Sequence, residues 1–492
     1  MPKLLYEGCE WDFDMLEKTW AAIDEIGSKQ LGFDYYPAQI EIISAEQMLD
    51  NYSSHAMPQM YQHWSFGKSF IQNEKEYKAG KSGLAYEVVI NTNPSIAYLM
   101  ETNTATMQAL VLAHASVGHS CFFKNNYLFR EWSDADSILD YLKFARSYIS
   151  ECEKKYGYEE VEDLLDACHS LQLHGVDKYK KPRVRKGDKE KRSQNRRQHE
   201  EESFNDLWRT VPKYEGEDVI SNLKTEKDDK LPEENILYFI EKHSPVLAPW
   251  QREIVRIVRK VAQYFYPQRQ TSLLNEGFAC ISHHTIMNML FDQKRITAGS
   301  VIEAMKSHSG VVYQPDWDAK HYSGINVYAL GYAMLSDIKR LCSAPDKEDL
   351  QYFPHLCNTD WRETIMHIVK NYRDESFVLQ FLSPKVARQF KLFSIQMDED
   401  KNYYSVENTC EEDSLMQIRS ILSAQYDLSK RVPHIEIVNV DWAGDRTISL
   451  CHYSANEVIM EHDSLRRTAE YLHLLWGHPV SVEYKNYEGE DL

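Results

Sequence analysis

Ala113-His114-Ala115-Ser116-Val117-Gly118-His119-Ser120-Cys121-Phe122-Phe123-Lys124-Asn125-Asn126 is the stretch around which the chain is organised. It sets two histidines beside small residues at the end of an apolar run, then turns aromatic and amide-rich. Imidazoles in such a place are candidate metal ligands. Their spacing is awkward, because five residues on a straight α-helix turn through about 140°. His114 and His119 therefore converge only if Gly118 ends or distorts the helix.

Just upstream, Leu84 to Ile90 alternates as a strand does, and Asn91-Thr92-Asn93-Pro94 reads as a turn. A helix is expected from about Ile96 to His114, capped by Asn93 or Ser95. Glu101 falls inside it among apolar neighbours, where a carboxylate needs a partner. Helical geometry would put Glu101, Thr104 and Gln108 on one polar stripe.

Downstream, Leu274-Asn275-Glu276-Gly277-Phe278-Ala279-Cys280-Ile281-Ser282-His283-His284 supplies a second cluster. Glu276 and His283 are seven apart and share a helix face. Together, His114, His119, Glu276 and His283 make a four-ligand set for a divalent metal, with zinc, iron or manganese suiting imidazole and carboxylate donors. Glu101 is the candidate general base for a metal-bound water. The string Leu274–Ala279 resembles the zinc-aminopeptidase segment whose glutamate is a metal ligand, but the H-e-x-x-H motif of those enzymes is missing. Cys121 and Cys280 lie near imidazoles without an oxyanion-hole motif. The pair His169 and His174 either lines the same cleft or caps a helix.

The rest of the chain supports an α+β fold. Residues 12–28 read as a first helix capped by Asp12 or Asp14, and Pro37 opens a second helical pattern through Ile40, Ile43, Met48 and Leu49. His63-Trp64-Ser65-Phe66-Gly67-Lys68 reads as a packed loop or a cleft wall. Helices are expected over 134–156 and 159–173, then at Trp250–Tyr266 (stopped by Pro267), Leu274–Leu290, Ser300–His308, Tyr328–Cys342 (after breaks at Gly324 and Gly331) and Trp361–Tyr372. Beyond these, strands at Phe390–Gln396, Tyr403–Glu407, His434–Val440, Thr447–His452 and Val480–Tyr484 alternate with helices at Ser414–Tyr426 and Ser464–Trp476. That pattern implies an antiparallel sheet with helices on one face. The expected organisation is a helical first part of the body over 1–177, a basic and polar linker or insertion over 178–234, a helical second part over 235–381 and a C-terminal α+β domain over 382–492.

Composition narrows the function classes. At 492 residues, 43% hydrophobic and 27% charged, the chain is ordinary globular protein. Its net charge of −19 disfavours nucleic-acid binding by the surface at large. Lys178 to His199 is the exception, with eleven Lys or Arg against two acids, and reads as a solvated spacer. The nine cysteines form no C-x-x-C pair, which fits a reducing compartment. No apolar run approaches the roughly 18 residues that span a bilayer. Met1 to Glu7 turns acidic and lacks a signal-peptide core, so a cytoplasmic protein is expected. No phosphate-binding loop or G-x-G-x-x-G is present to support nucleotide use.

Several long strings resemble the stage V sporulation protein R (SpoVR) family. They are His63–Lys68, Asn93–Glu101, His114–Asn126, His174-Gly175-Val176-Asp177, Tyr266-Pro267-Gln268 followed by Asn275-Glu276-Gly277, and Gly324-Ile325-Asn326 with Tyr328-Ala329-Leu330-Gly331. The resemblance spans nearly the whole chain and leaves out the basic 183–203 segment. It implies a cytoplasmic bacterial protein linked to spore cortex formation or, elsewhere, to stress response. It also implies work alongside a serine protein kinase and a von Willebrand A-type protein, and it implies no established reaction. Two expectations follow: a metal-dependent hydrolase-like protein, or a non-enzymatic regulator acting with those partners.

Overall fold

The computed structural model describes residues 3–53, 57, 60–78, 87–178, 231–316, 319–320, 322–392, 395–398, 403–406, 412–454 and 460–486. The basic 183–203 segment lies outside them. The fold is α+β, and by packing the chain forms two units: residues 1–150 with 264–428, and residues 151–263 with 429–492.

The first unit starts with helix α1 (Phe13–Asp24), whose N-cap Asp12 accepts the Met15 N–H. A small sheet follows. Strand β1 (Ala38–Ile43) runs parallel to β3 (Ser95–Met100), and β2 (Glu87–Ile90) pairs antiparallel on the other side of β3. Two expected helices are therefore strands at these points. All six β3 residues are buried, as befits the central strand. A short apolar run of this kind fits a buried strand or a buried helix equally well, and pairing on both edges decides it. The 37–49 pattern divides likewise into β1 and a helix at Ala45–Ser53.

The next helix, α2, starts at Ala105 with Thr104 as its N-cap. It is α-helical over Ala105–Val111, π-helical over Leu112–His119 and α-helical again over Ser120–Asn125. Helix α3 (Ser272–Asp292) packs along it. Both helices are buried almost all round, which marks core helices rather than surface ones.

Glycines set the spacing. A Cβ on Gly118 would lie 2.6 Å from the Ala279 Cα, so only glycine lets α2 come this close to α3. Gly277 meets Gly331 of α5 (Val327–Ser343) in the same way, with a built Cβ 2.4 Å from the Gly331 carbonyl carbon. Gly331 is thus a contact inside a helix and not a break. The start of α3 has no cap from its own chain neighbours. Asp374, at the head of α6 (Asp374–Phe381), accepts the Leu273 and Leu274 N–H groups at 2.9 Å each. Helix α4 (Ala298–Val311) adds His308 to the same region, and α7 (Glu412–Ala424) packs on α6.

His63–Lys68 forms a helix start: His63 Nδ1 lies 2.7 Å from Ser65 Oγ, and the helix Trp64–Lys78 follows. The helix expected to stop at Pro267 runs through it, from Pro249 to Arg269. There the Thr271 hydroxyl donates to the Pro267 carbonyl at 2.8 Å.

In the second unit, β6 (His434–Val440) and β7 (Ile448–Ser454) form the expected antiparallel pair. The last strand, β8 (Val480–Asn486), is parallel to β7, so this sheet is mixed. Helix His462–Trp476 provides the crossover that a parallel pair needs. The short pair β4 (Ile395–Asp398) and β5 (Tyr403–Val406) forms a sheet of its own and belongs with the first unit. Among the described residues, no helix is long and apolar enough to cross a membrane.

Candidate metal centre

The π-helical segment resolves the awkward histidine spacing. Its i→i+5 geometry brings residues five apart onto one side of the helix. The rings of His114 and His119 stand 4.7 Å apart, edge to face. Of the two alternatives the sequence left for Gly118, the helix is distorted there and does not end, and the glycine also admits α3. Glu276, Cys280 and His283 lie at i, i+4 and i+7 on α3, one face of a regular helix. That face meets the two imidazoles.

His114 Nε2 lies 3.3 Å from Glu87 Oε1 and 3.7 Å from Glu276 Oε2, and His119 Nε2 lies 3.5 Å from that same Glu276 oxygen. All three separations exceed the normal hydrogen-bond range. They match the spacing of two ligands on one tetrahedral ion, about 3.4 Å when each ligand atom is about 2.0–2.2 Å away. Among the described residues, no group hydrogen-bonds the buried Glu276 Oε2. The ligand atoms of Glu87, His114 and His119 lie within 4.8 Å of one another.

Second contacts orient the rings. His119 Nδ1 donates to Asn275 Oδ1 at 3.0 Å, which leaves Nε2 bare toward Glu276. This is the arrangement that ligating histidines usually have. On the other side of His114, its Nδ1 lies 2.9 Å from His283 Nδ1, and His283 Nε2 lies 2.8 Å from His308 Nδ1. His283 therefore faces the nitrogen of His114 that points away from Glu276. The four expected ligands do come together, but not around one point. Glu87 stands where His283 was expected.

Glu101 is placed elsewhere. It sits exposed in the turn after β3, its N–H bonded to the Ile43 carbonyl. The reason is the strand itself: once Ser95–Met100 pairs with β1, residue 101 leaves the sheet at its end. The argument used for Glu101, a carboxylate among apolar neighbours, applies equally to Glu87, which follows Tyr86 and precedes Val88. Only the pairing shows which of the two faces the histidines. Asn275 and His308 carried no signal in the sequence beyond lying on the right helices.

Charge follows this geometry. Burial pushes the Glu87 carboxyl up to about 7, against the pull of His114. Burial also disfavours protonated His114, yet Glu87 and Glu276 outweigh it and raise its pKa. His119 is lowered by burial, with Glu276 opposing. For Glu276, burial works against ionisation, but His119, His114 and a Tyr328 hydrogen bond outweigh it and hold the carboxyl down. Burial and the neighbouring imidazoles hold His283 well below its ordinary value, and His308 falls to about 4 for similar reasons. The Cys280 thiol is raised well above its ordinary value by burial and by Glu276 and Glu87, which does not suit a free nucleophile. His174 lies buried in the second unit, its pKa lowered to about 4 by burial and by Lys178, His434 and His452.

Comparison with known proteins fits this chain into a family. A family model described as SpoVR like protein matches residues 10–431, and one described as SpoVR-like C-terminal domain matches residues 433–486. The chain belongs to the SpoVR family. The uncharacterized protein YcgB of Escherichia coli (strain K12) is 49% identical over 486 residues, covering 99% of this chain and 94% of that protein. No solved structure matches. The SpoVR name carries a link to sporulation and no reaction, so the chemistry of this member has to be argued from its own side chains.

Proposed function

We infer that this SpoVR-family protein is a metal-dependent, hydrolase-like protein. Its ion would be held by His114 Nε2, His119 Nε2 and Glu276 Oε2, with Glu87 beside the fourth position. The observation that carries this reading is Glu276 Oε2. It is a buried carboxylate oxygen without a hydrogen-bond donor among the described residues, spaced from two imidazole nitrogens as ligands are. A buried carboxylate oxygen with no donor of its own is costly, and a divalent cation at that oxygen removes the cost. Two nitrogens and one carboxylate oxygen suit zinc, iron or manganese, and three protein ligands leave one position for water.

A bound ion of this kind acts as a Lewis acid and acidifies its water. Glu87, rather than Glu101, is the carboxylate we assign to take the proton, because it lies beside the same His114 nitrogen. Asn275 fixes the His119 ring. Such a site would serve a sporulation- or stress-linked role in the cytoplasm.

Elemental analysis of the purified protein tests the reading. At least one zinc, iron or manganese per chain is expected, and Glu276→Gln and His119→Ala should each hold one ion fewer than the wild type without loss of helical circular dichroism. Glu87→Gln should keep the ion, whereas its loss would make Glu87 a fourth ligand and the site a closed, structural one. Wild-type protein that is metal-free and fully stable overturns the reading. That result would leave a non-enzymatic regulator acting with a serine protein kinase and a von Willebrand A-type protein.

A further inference from the structure

We propose that the centre holds two cations, with the His114 ring bridging them and Cys280 and His283 binding the second. This rests on the metal reading above and extends it to the opposite side of His114. The two nitrogens of an imidazole diverge, so each serves a different neighbour. His114 Nε2 faces Glu87, Glu276 and His119. His114 Nδ1 faces His283 Nδ1, and these two residues with Cys280 place three ligand atoms within 4.8 Å of one another, all buried.

Three observations support the second subsite. The first is spacing. The 2.9 Å between His114 Nδ1 and His283 Nδ1 suits a hydrogen bond. A tetrahedral ion about 2.05 Å from each nitrogen would set them about 3.35 Å apart, so the two rings need part by only a few tenths of an ångström to admit one. The second is a ready-made outer shell. His283 Nε2 is anchored on His308 Nδ1 at 2.8 Å, which fixes the ring and leaves Nδ1 as its ligand atom. His308 is held in turn by ring contacts with His284 and Tyr332. The third is the order of donors along α3. Glu276 serves the first position, and one turn further on Cys280 and His283 serve the next. The first subsite thus offers nitrogen and carboxylate, and the second offers nitrogen and sulfur. Thiolate favours zinc or another soft ion, whereas carboxylate also accepts manganese or ferrous iron.

Charge balances. A divalent ion entering the second subsite displaces two protons to solvent, one from His114 Nδ1 and one from the Cys280 thiol. Its +2 charge then faces an imidazolate shared with the first ion and a thiolate.

Cobalt(II) is the probe. The full-length protein, stripped and reloaded with cobalt, should hold two ions per chain and show a thiolate-to-cobalt charge-transfer absorption in the near ultraviolet. Cys280→Ser should hold one ion and lose that absorption. Glu276→Gln should hold one ion and keep it. Where Cys280→Ser fails to fold by circular dichroism, His283→Gln replaces it with the same expected drop to one ion. One cobalt per wild-type chain without thiolate absorption refutes the second subsite and leaves the first standing. Two ions that survive Cys280→Ser with an unchanged spectrum also refute it. No bound cobalt refutes both readings.

Discussion

Each unit of the molecule buries a glutamate on a helix, and the two are treated in opposite ways. Glu241, in the second unit, has a side chain 1% exposed. Its Oε1 accepts from Lys242 Nζ at 2.7 Å and Arg256 Nε at 2.9 Å, and its Oε2 lies 3.0 Å from an Arg259 guanidinium nitrogen. Burial opposes its ionisation, but these cations outweigh burial and lower its pKa. Glu276, in the first unit, is 19% exposed at the side chain, and its Oε2 faces the His119 and His114 imidazole nitrogens at 3.5 and 3.7 Å. A carboxylate ringed by permanent cations at hydrogen-bond distance is finished and structural. One ringed by titratable nitrogens at ligand distance keeps a place for a cation. The contrast separates a buried charge that holds a fold together from one that serves a site.

The comparison can be broken at several points. The largest stability effect is expected at Glu241. Glu241→Ala leaves Arg256 and Arg259 facing a buried gap and should cost about 3–5 kcal/mol in denaturant unfolding, with metal content unchanged. A loss under about 1 kcal/mol would mean that this carboxylate is no more structural than Glu276.

Next comes Gly118→Ala, whose new Cβ would sit 2.6 Å from the Ala279 Cα. Overpacking should cost about 1–3 kcal/mol. It should also part α2 from α3 and weaken metal binding, so stability and metal affinity fall together. Metal affinity that survives the substitution would show that the close approach does not set the ligand spacing.

Asn275→Leu is expected to split those two readouts. Losing the partner of His119 Nδ1 should weaken metal affinity by about 10–100-fold, while metal-free stability stays close to wild type. Titration against a competing chelator measures it, and unchanged affinity would remove Asn275 from the site.

The smallest stability effect is expected at Glu276 itself. Glu276→Gln removes no hydrogen bond from Oε2, so metal-free protein should change by less than about 1 kcal/mol. A cost as large as that at Glu241 would erase the distinction between the two.

Much of this was legible in the sequence, and the failures have physical causes. The long helices of the second half were readable from apolar periodicity at Ile254–Phe265 and Ile365–Val369. The face of α3 carrying Glu276 and His283 followed from helical arithmetic. Ser95–Met100 was not readable, because Ile96-Ala97-Tyr98-Leu99-Met100 is apolar at every position and carries no period. That error moved Glu101 into the site and left Glu87 out. The π-turn was not readable either. Residue order shows that five-residue spacing needs a distorted helix, but not that the distortion is a widened helix packed on Ala279. The split of ligands between the two nitrogens of His114 depends on ring orientation, which spacing does not encode.

The most direct test of the central claim is the metal content of the purified wild-type protein beside Glu276→Gln and Glu241→Gln. The account predicts equal bound metal in the wild type and in folded Glu241→Gln, and one ion fewer per chain in folded Glu276→Gln. Equal metal content in the wild type and Glu276→Gln, or none in any of the three, would contradict it.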